Sequence, residues 1–108
     1  RQMCIRDSWN LIQLIQGGFY RNIPVHRIVA KDRNGKPFVV QAGDPTGTGM
    51  GSPGYAIALE KSPLGHDFGV LSMARSSDPN TIGSQFFVAL SREATARLDG
   101  LYPAFGQI

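Results

Sequence analysis

The sequence lacks the residues from which many metal and disulfide sites are built. Its single cysteine, Cys4, excludes an intrachain disulfide and a cysteine zinc cluster. The two histidines, His26 and His66, have no third histidine, cysteine or carboxylate at ligand spacing, whereas a catalytic zinc needs three protein ligands. We therefore predict no metal and no cofactor, and we interpret both histidines as structural or exposed.

Long apolar runs and clusters of one charge are also missing. The longest apolar runs are a few residues, far short of the roughly 20 that a membrane-spanning helix needs. The net charge of +3 comes from scattered basic residues, which do not form a nucleic-acid footprint. With 13 glycines, 7 prolines and 42% hydrophobic residues, the 108-residue chain is typical of one turn-rich domain that contains strands. Neither a membrane nor a nucleic acid is an expected partner.

The apolar pattern predicts one helix, then mostly antiparallel strands. The Asn34-Gly35 pair between two apolar runs is a strong hairpin signal, and Gly17 and Gly18 would end the first helix. In chain order we predict a helix around residues 11–15, strands at 25–30, 38–42, 70–74 and 85–90, a short helix begun by Ser91, and a strand from Ala104.

The first eight residues differ in character from the rest. Residues 1–8 mix charge, methionine and cysteine without any period, and they resemble peptides that arise when adapter sequence is translated with an environmental read. We interpret residues 1–8 as a non-native or disordered leader and residues 9–108 as a partial domain. No signal peptide is recognisable and a cytoplasmic location is favoured, although we expect the natural N-terminus to be missing.

Two conventional kinds of site find little support. The glycine-rich residues 43–54 suggest a phosphate-binding loop, but they lack the lysine and the Ser/Thr of that motif, so a surface loop is favoured. Ser72 and Ser84 lie outside any Gly-x-Ser-x-Gly elbow, which argues against nucleophilic catalysis.

Two polar residues stand in strands that otherwise look like barrel walls, Arg27 and Gln41. In one interpretation Arg27 pairs with an acidic residue such as Glu60 and the neighbouring phenylalanines are core. In the other, the strands form a groove with an apolar floor, one guanidinium and one amide, suited to an extended peptide. Strict alternation decides for neither, because it places Val39 with Gln41 on one face and Phe38 on the other.

Several longer motifs closely resemble the cyclophilin family. They are VHRI at 25–28, FVVQAGD at 38–44, GVLSMAR at 69–75, NTIGSQFF at 80–87, and LDG at 98–100 followed by FG at 105–106. The resemblance covers residues 10–108, and the PGY at 53–55 looks like the bacterial branch. It implies a mainly β fold, a closed antiparallel eight-stranded barrel capped by two helices. Here the barrel would be incomplete, because its opening and closing strands are absent.

The resemblance implies peptidyl-prolyl cis/trans isomerisation, a reaction that assists protein folding. The uncatalysed reaction of an Xaa-Pro bond takes about tens to hundreds of seconds. The expected partners are proline-containing polypeptides, and the full-length protein is expected to be a monomer. The alternative is a cyclophilin-like module that binds proline-containing segments without turnover.

The resemblance also assigns site residues. Arg27 matches the catalytic arginine, which would donate a hydrogen bond to the prolyl nitrogen, and Phe38 and Gln41 complete the catalytic set. The residues that match substrate-binding positions are Val39, Ala74, Arg75, Gln85, Phe87, Arg97, Leu98 and Tyr102.

The sequence departs from common members of the family at four of these positions. Val39 stands where methionine is common, Arg75 where asparagine is common and Tyr102 where histidine is common. Arg97 stands where many members have the tryptophan that is associated with tight cyclosporin binding, so we expect weak cyclosporin binding. An insertion over residues 31–37 lengthens the hairpin before the site.

Overall fold

The computed structural model describes residues 5–59, 64–76, 78 and 80–107, which form one antiparallel sheet with helices at its ends. The elements are α1 (Ile5–Gln16), β1 (Val25–Val29), β2 (Val39–Ala42), β3 (Val70–Met73), β4 (Phe86–Ala89), α2 (Arg92–Thr95), a 3₁₀ helix (Ala96–Leu98) and β5 (Ala104–Gln107). The strand order is β1-β2-β4-β3-β5. The predicted mainly β antiparallel fold is confirmed, and the described sheet is open rather than closed, as in an incomplete barrel.

Helix α1 begins earlier than the sequence pattern predicts. It starts at Ile5, so residues 5–8, which we assigned to a leader, form its first turn, and Asp7 in that turn is buried. Residues 1–4, with Cys4, lie outside the described residues, and a non-native origin of residues 1–8 stays a prediction. The helix ends at Gln16, and Gly18 follows with φ 76°, the left-handed conformation expected after a helix. Every helix of the described chain is too short or too polar to reach across a membrane.

The predicted hairpin is formed by β1 and β2. Arg27 lies opposite Gln41 and Val29 opposite Val39, with a bulge between Val25 and Arg27. The connection turns at Gly35, which has φ 78°, and is closed by a hydrogen bond from the Asp32 amide to the Lys36 carbonyl of 2.7 Å. The Asn-Gly signal therefore marks the turn, inside a connection longer than a tight hairpin.

The core consists of two clusters that lie on opposite faces of the sheet, because alternation along β3 puts Val70 and Met73 on different sides. One cluster contains Met73, Ile82 and Phe105, and a second contains Val70, Ala89 and Ala104. Burying each large side chain stabilises the fold by about 1.5–3 kcal/mol. The short helix after β4 also forms as predicted, with the Ser91 hydroxyl accepting from the Ala94 amide at its N-terminus.

The two outer strands of the described sheet, β1 and β5, each have only one neighbour. On β1, Val25 is 53% exposed and Ile28 is 65% exposed. An apolar strand with a free row of backbone donors and acceptors pairs readily with another chain.

We expect the 108-residue chain expressed alone to give aggregated or molten material, because stabilities of only about 5–15 kcal/mol leave little margin for unpaired strands. Ile28→Lys on the open edge should reduce aggregation more than Ile12→Lys, a matched change on an exposed helix position. Light scattering and amide NMR spectra would measure this. A monomeric chain with dispersed signals and a sharp two-state melt would contradict the expectation.

Candidate active site

One cavity of about 240 Å³ brings together nine of the eleven site residues that the resemblance implies. The other two are Arg97 and Gln85. The Arg97 guanidinium lies over the ring of Phe38, which lines the cavity. Gln85 lines a neighbouring cavity of about 280 Å³, and the two cavities share Gln41, Ala74 and Arg75. The residues that line the first cavity are Arg27, Phe38, Val39, Gln41, Ala74, Arg75, Phe87, Leu98 and Tyr102.

Strand register explains why these side chains meet. Arg27 on β1 lies opposite Gln41 on β2, and Gln41 lies opposite Phe87 on β4. Residues paired across antiparallel strands project to the same face, so the three form one row across the sheet. Phe38 precedes β2, so the alternation of side chains along that strand does not determine which way its ring points. Its amide donates to the Val29 carbonyl at 3.1 Å, which keeps its ring at the cavity beside the strand.

The cavity has an aromatic floor supported from below. Phe87 is 5% exposed, and Tyr102 meets it edge-on with ring centroids 5.6 Å apart. His66 stacks against Phe87 at 5.7 Å with an interplanar angle of 13°. An apolar floor of this kind suits a small hydrophobic ring.

A chain of hydrogen bonds holds the guanidinium of Arg27 at this cavity. Arg27 Nη1 donates to Gln41 Oε1 at 3.0 Å, and Gln41 Nε2 donates to Gln85 Oε1 at 3.0 Å. Gln85 Nε2 in turn donates to the carbonyls of Gly49 and Gly51 at 3.1 and 3.0 Å. The side chains of Gln41 and Gln85 each accept through Oε1 and donate through Nε2. All donors of the chain therefore point the same way, from Arg27 toward the carbonyls of Gly49 and Gly51. The acidic partner considered for Arg27, Glu60, lies outside the described residues.

The glycine-rich loop that ends this chain is built around its own carboxylate. Asp44 is fully buried, and its oxygens accept from the amides of Thr46, Thr48, Gly49 and Gly51 and from the Thr46 hydroxyl. Burial alone would raise the pKa of Asp44, but the hydrogen bonds from Gly51, Thr46 and Gly49 outweigh it and hold that pKa well below its usual range. The loop amides thus bind an anion, as the glycines suggested, but the anion is the protein's own side chain.

Sequence reasoning missed a second polar network beneath the cavity. His66 Nδ1 lies 3.1 Å from Asp99 Oδ1, and His66 Nε2 lies 2.9 Å from Ser72 Oγ. Since the carboxylate only accepts, Nδ1 carries the proton and Nε2 accepts from the serine. Burial lowers the pKa of His66 more than Asp99 raises it, which favours the neutral ring. His66 and Ser72 are both 0% exposed, so this arrangement supports Phe87 rather than facing a substrate.

The structure places the two histidines differently. Of the two alternatives, structural or exposed, His66 takes the structural one, because it is fully buried. His26 is half-buried beside Gly49. Over the described part of the chain, no three histidine, cysteine or acidic side chains gather in a way that could hold a metal ion.

Known proteins resemble this chain over almost its whole length. Residues 4–108 match the family described as cyclophilin type peptidyl-prolyl cis-trans isomerase/CLD. A peptidyl-prolyl cis-trans isomerase of Synechococcus elongatus is 42% identical over 98 residues, which cover 91% of this chain and 61% of the relative. Peptidyl-prolyl cis-trans isomerase-like 1 of Emericella nidulans is 45% identical over 106 residues, which cover 92% of this chain and 59% of the relative. The chain therefore spans about 60% of the length of these relatives.

Solved structures resemble the fold equally well. The crystal structure of a Cryptosporidium parvum cyclophilin type peptidyl-prolyl cis-trans isomerase in the presence of the dipeptide Ala-Pro matches with a TM-score of 0.83 at 38% identity, covering 97% of this chain and 65% of that one. The cyclophilin AquaCyp293 from Hirschia baltica matches with a TM-score of 0.76 at 19% identity, over 98% of this chain and 56% of that one, and this likeness concerns the fold alone.

We expect the Asp44 carboxylate to make the stability pH-dependent. Its folded-state pKa is depressed, so its contribution is present above the unfolded pKa of about 4 and is lost as the pH falls below that value. Thermal unfolding of the protein encoded by the complete reading frame should therefore show a fall in Tm between pH 5 and pH 2. Asp44→Asn should lower Tm at pH 6 and make the fall in Tm toward pH 2 smaller. The pKa values of Asp32 and Asp99 are also lowered, so these two residues contribute to the fall equally in parent and variant. Parallel Tm curves for parent and variant would contradict the assignment.

Proposed function

The chain belongs to the cyclophilin-type peptidyl-prolyl cis-trans isomerase family, and from this we propose that the complete protein catalyses cis/trans isomerisation of Xaa-Pro bonds in polypeptides. The observation that carries the proposal is the position of Arg27. Its guanidinium is exposed beside the aromatic floor of the cavity and is held there by Gln41.

The chemistry needs no bond to be broken. An amide C–N bond has partial double-bond character, with a rotation barrier of about 18–20 kcal/mol. Twisting the bond localises the nitrogen lone pair, and an N–H donor near that nitrogen binds the twisted state better than the planar one. Such differential binding is what lowers a barrier.

Each part of the cavity has a place in this reaction. The proline ring would rest on Phe87 between Val39 and Leu98, with its nitrogen toward Arg27. Gln41 would hold the guanidinium and contact the substrate backbone. The edge formed by Ala74 and Arg75 would carry the extended peptide along the second cavity.

A non-catalytic module that binds proline-containing segments is the second candidate. The apolar floor of the cavity would suffice for binding, which does not require a hydrogen bond to the transition state. The position of Arg27 thus favours the enzyme.

Cyclosporin binding is expected to be weak. Arg97 holds its guanidinium 4.7 Å from the centre of the Phe38 ring, where a large apolar ligand would have to cover it. Covering a charge with an apolar surface is costly, so weak binding of cyclosporin is part of this proposal. A monomeric full-length protein is a further part of it.

Arg27→Ala in the complete protein should lower the isomerisation rate of an Ala-Pro peptide by about 10²–10³, the loss seen when one positioned donor to a transition state is removed. NMR exchange spectroscopy measures the rate, and circular dichroism checks the fold. Arg21→Ala, which removes an exposed arginine outside the cavity, serves as the control.

Two results would be decisive against the mechanism. A folded Arg27→Ala protein with an unchanged rate would exclude Arg27 as the catalytic group. A parent that binds the peptide but does not accelerate its isomerisation would favour the binding module.

A further inference from the structure

The backbone at Phe38, which lines the cavity, is held on two sides. The Phe38 amide donates to the Val29 carbonyl at 3.1 Å, and the Phe38 carbonyl accepts from the Leu90 amide at 2.8 Å. One residue earlier, the Pro37 carbonyl accepts from the Ser91 hydroxyl at 2.7 Å. These bonds fix the chain but not the torsion angles of the side chain, so the orientation of the Phe38 ring depends on what the ring contacts.

The guanidinium of Arg97 supplies such a contact. It belongs to the 3₁₀ helix, and its central carbon lies over the Phe38 ring, 4.7 Å from the ring centre. A guanidinium stacked on an aromatic face is attracted by the negative face of the ring. The next residue of the same helix, Leu98, lines the cavity together with Phe38. The 3₁₀ helix thus both contacts the Phe38 ring and supplies another part of the cavity lining.

The insertion over residues 31–37 provides an acidic group that attracts the same guanidinium. The Asp32 carboxylate accepts from the amides of Asn34 and Lys36 at 2.9 and 3.0 Å, so its position in the turn is fixed. The hydrogen bond from Lys36 is the largest cause that lowers the pKa of Asp32, and the positive charge of Arg97 lowers that pKa further. The guanidinium is therefore already engaged, by the insertion as well as by the ring.

We infer that Arg97 is a positioning residue, which holds the Phe38 ring against the bound proline and does not itself touch the peptide. The inference rests on the proposed function and deepens it. The contact between the Phe38 ring and a proline ring would be the same for the planar and for the twisted bond. Such a contact strengthens binding without lowering the barrier, so Arg97 acts on KM and Kd, whereas Arg27 acts on kcat.

The test uses the protein from the complete reading frame and an Ala-Pro peptide, for which KM, kcat and Kd are measured. Arg97→Gln should raise KM and Kd by about two- to five-fold, the scale of an exposed cation–π contact, and leave kcat within about two-fold of the parent. Arg97→Lys, which also places a cation over the ring, should recover about half of the loss or more. Arg21→Gln, a matched change outside the cavity, should leave all three constants unchanged.

A double-mutant cycle with Phe38→Leu shows whether Arg97 acts through the ring. Leucine has no aromatic face, so Arg97→Gln should have almost no effect on KM or Kd in the Phe38→Leu background. NMR spectra give a readout that does not depend on turnover. The Arg97 side-chain protons that lie over the Phe38 ring should be shifted upfield, and they should return to ordinary positions in Phe38→Leu.

Two results would overturn the inference. Unchanged KM and Kd in Arg97→Gln would show that binding does not depend on Arg97, and equal losses in both backgrounds would show that Arg97 contacts the peptide directly. Failure of the parent to accelerate isomerisation of the Ala-Pro peptide would instead overturn the proposed function, and the Kd values and NMR shifts would still decide the inference.

Discussion

The buried carboxylate of Asp44 fixes the loop on which the hydrogen bonds of the candidate active site depend. By collecting amides from Thr46 to Gly51, it turns the carbonyls of Gly49 and Gly51 toward Gln85. Gln85 then presents its oxygen to Gln41, which presents its own to Arg27. An ionised acceptor makes the stronger kind of hydrogen bond, so the charge at the buried end of the chain sets the direction of every amide up to the exposed guanidinium.

The apolar half of the site has a different origin. It follows from the register of three strands, which places Arg27, Gln41 and Phe87 in one row, and Ser72 continues that row on β3. His66 bonds to Ser72 and supports the Phe87 ring from beneath. The sheet therefore supplies both the floor of the cavity and the polar network that keeps the floor in place.

Much of this could be predicted from local patterns. The hairpin, the short helix after β4 and the strands that carry the cavity residues follow from apolar alternation and turn residues. The start of α1 at Ile5, inside the segment that we interpreted as a non-native or disordered leader, has no sequence signal, because the mixed charges of that segment hide the buried Asp7. The contact of His66 with Asp99 joins residues far apart in the sequence, and no periodicity signals it. Asp44 did carry a signal: an aspartate followed by Thr and Gly residues is typical of a side chain that accepts from its own turn.

In the proposed isomerisation, Gln85 positions Gln41 and, through it, the catalytic Arg27. A double-mutant cycle of Gln85→Leu and Arg27→Ala, read out as the rate of Xaa-Pro isomerisation at saturating peptide, tests this most directly. We predict that Gln85→Leu lowers kcat by about ten-fold when Arg27 is present and has almost no effect in the Arg27→Ala background, as expected of residues that act as a unit. Equal losses in both backgrounds, or no loss in the first, would contradict the account.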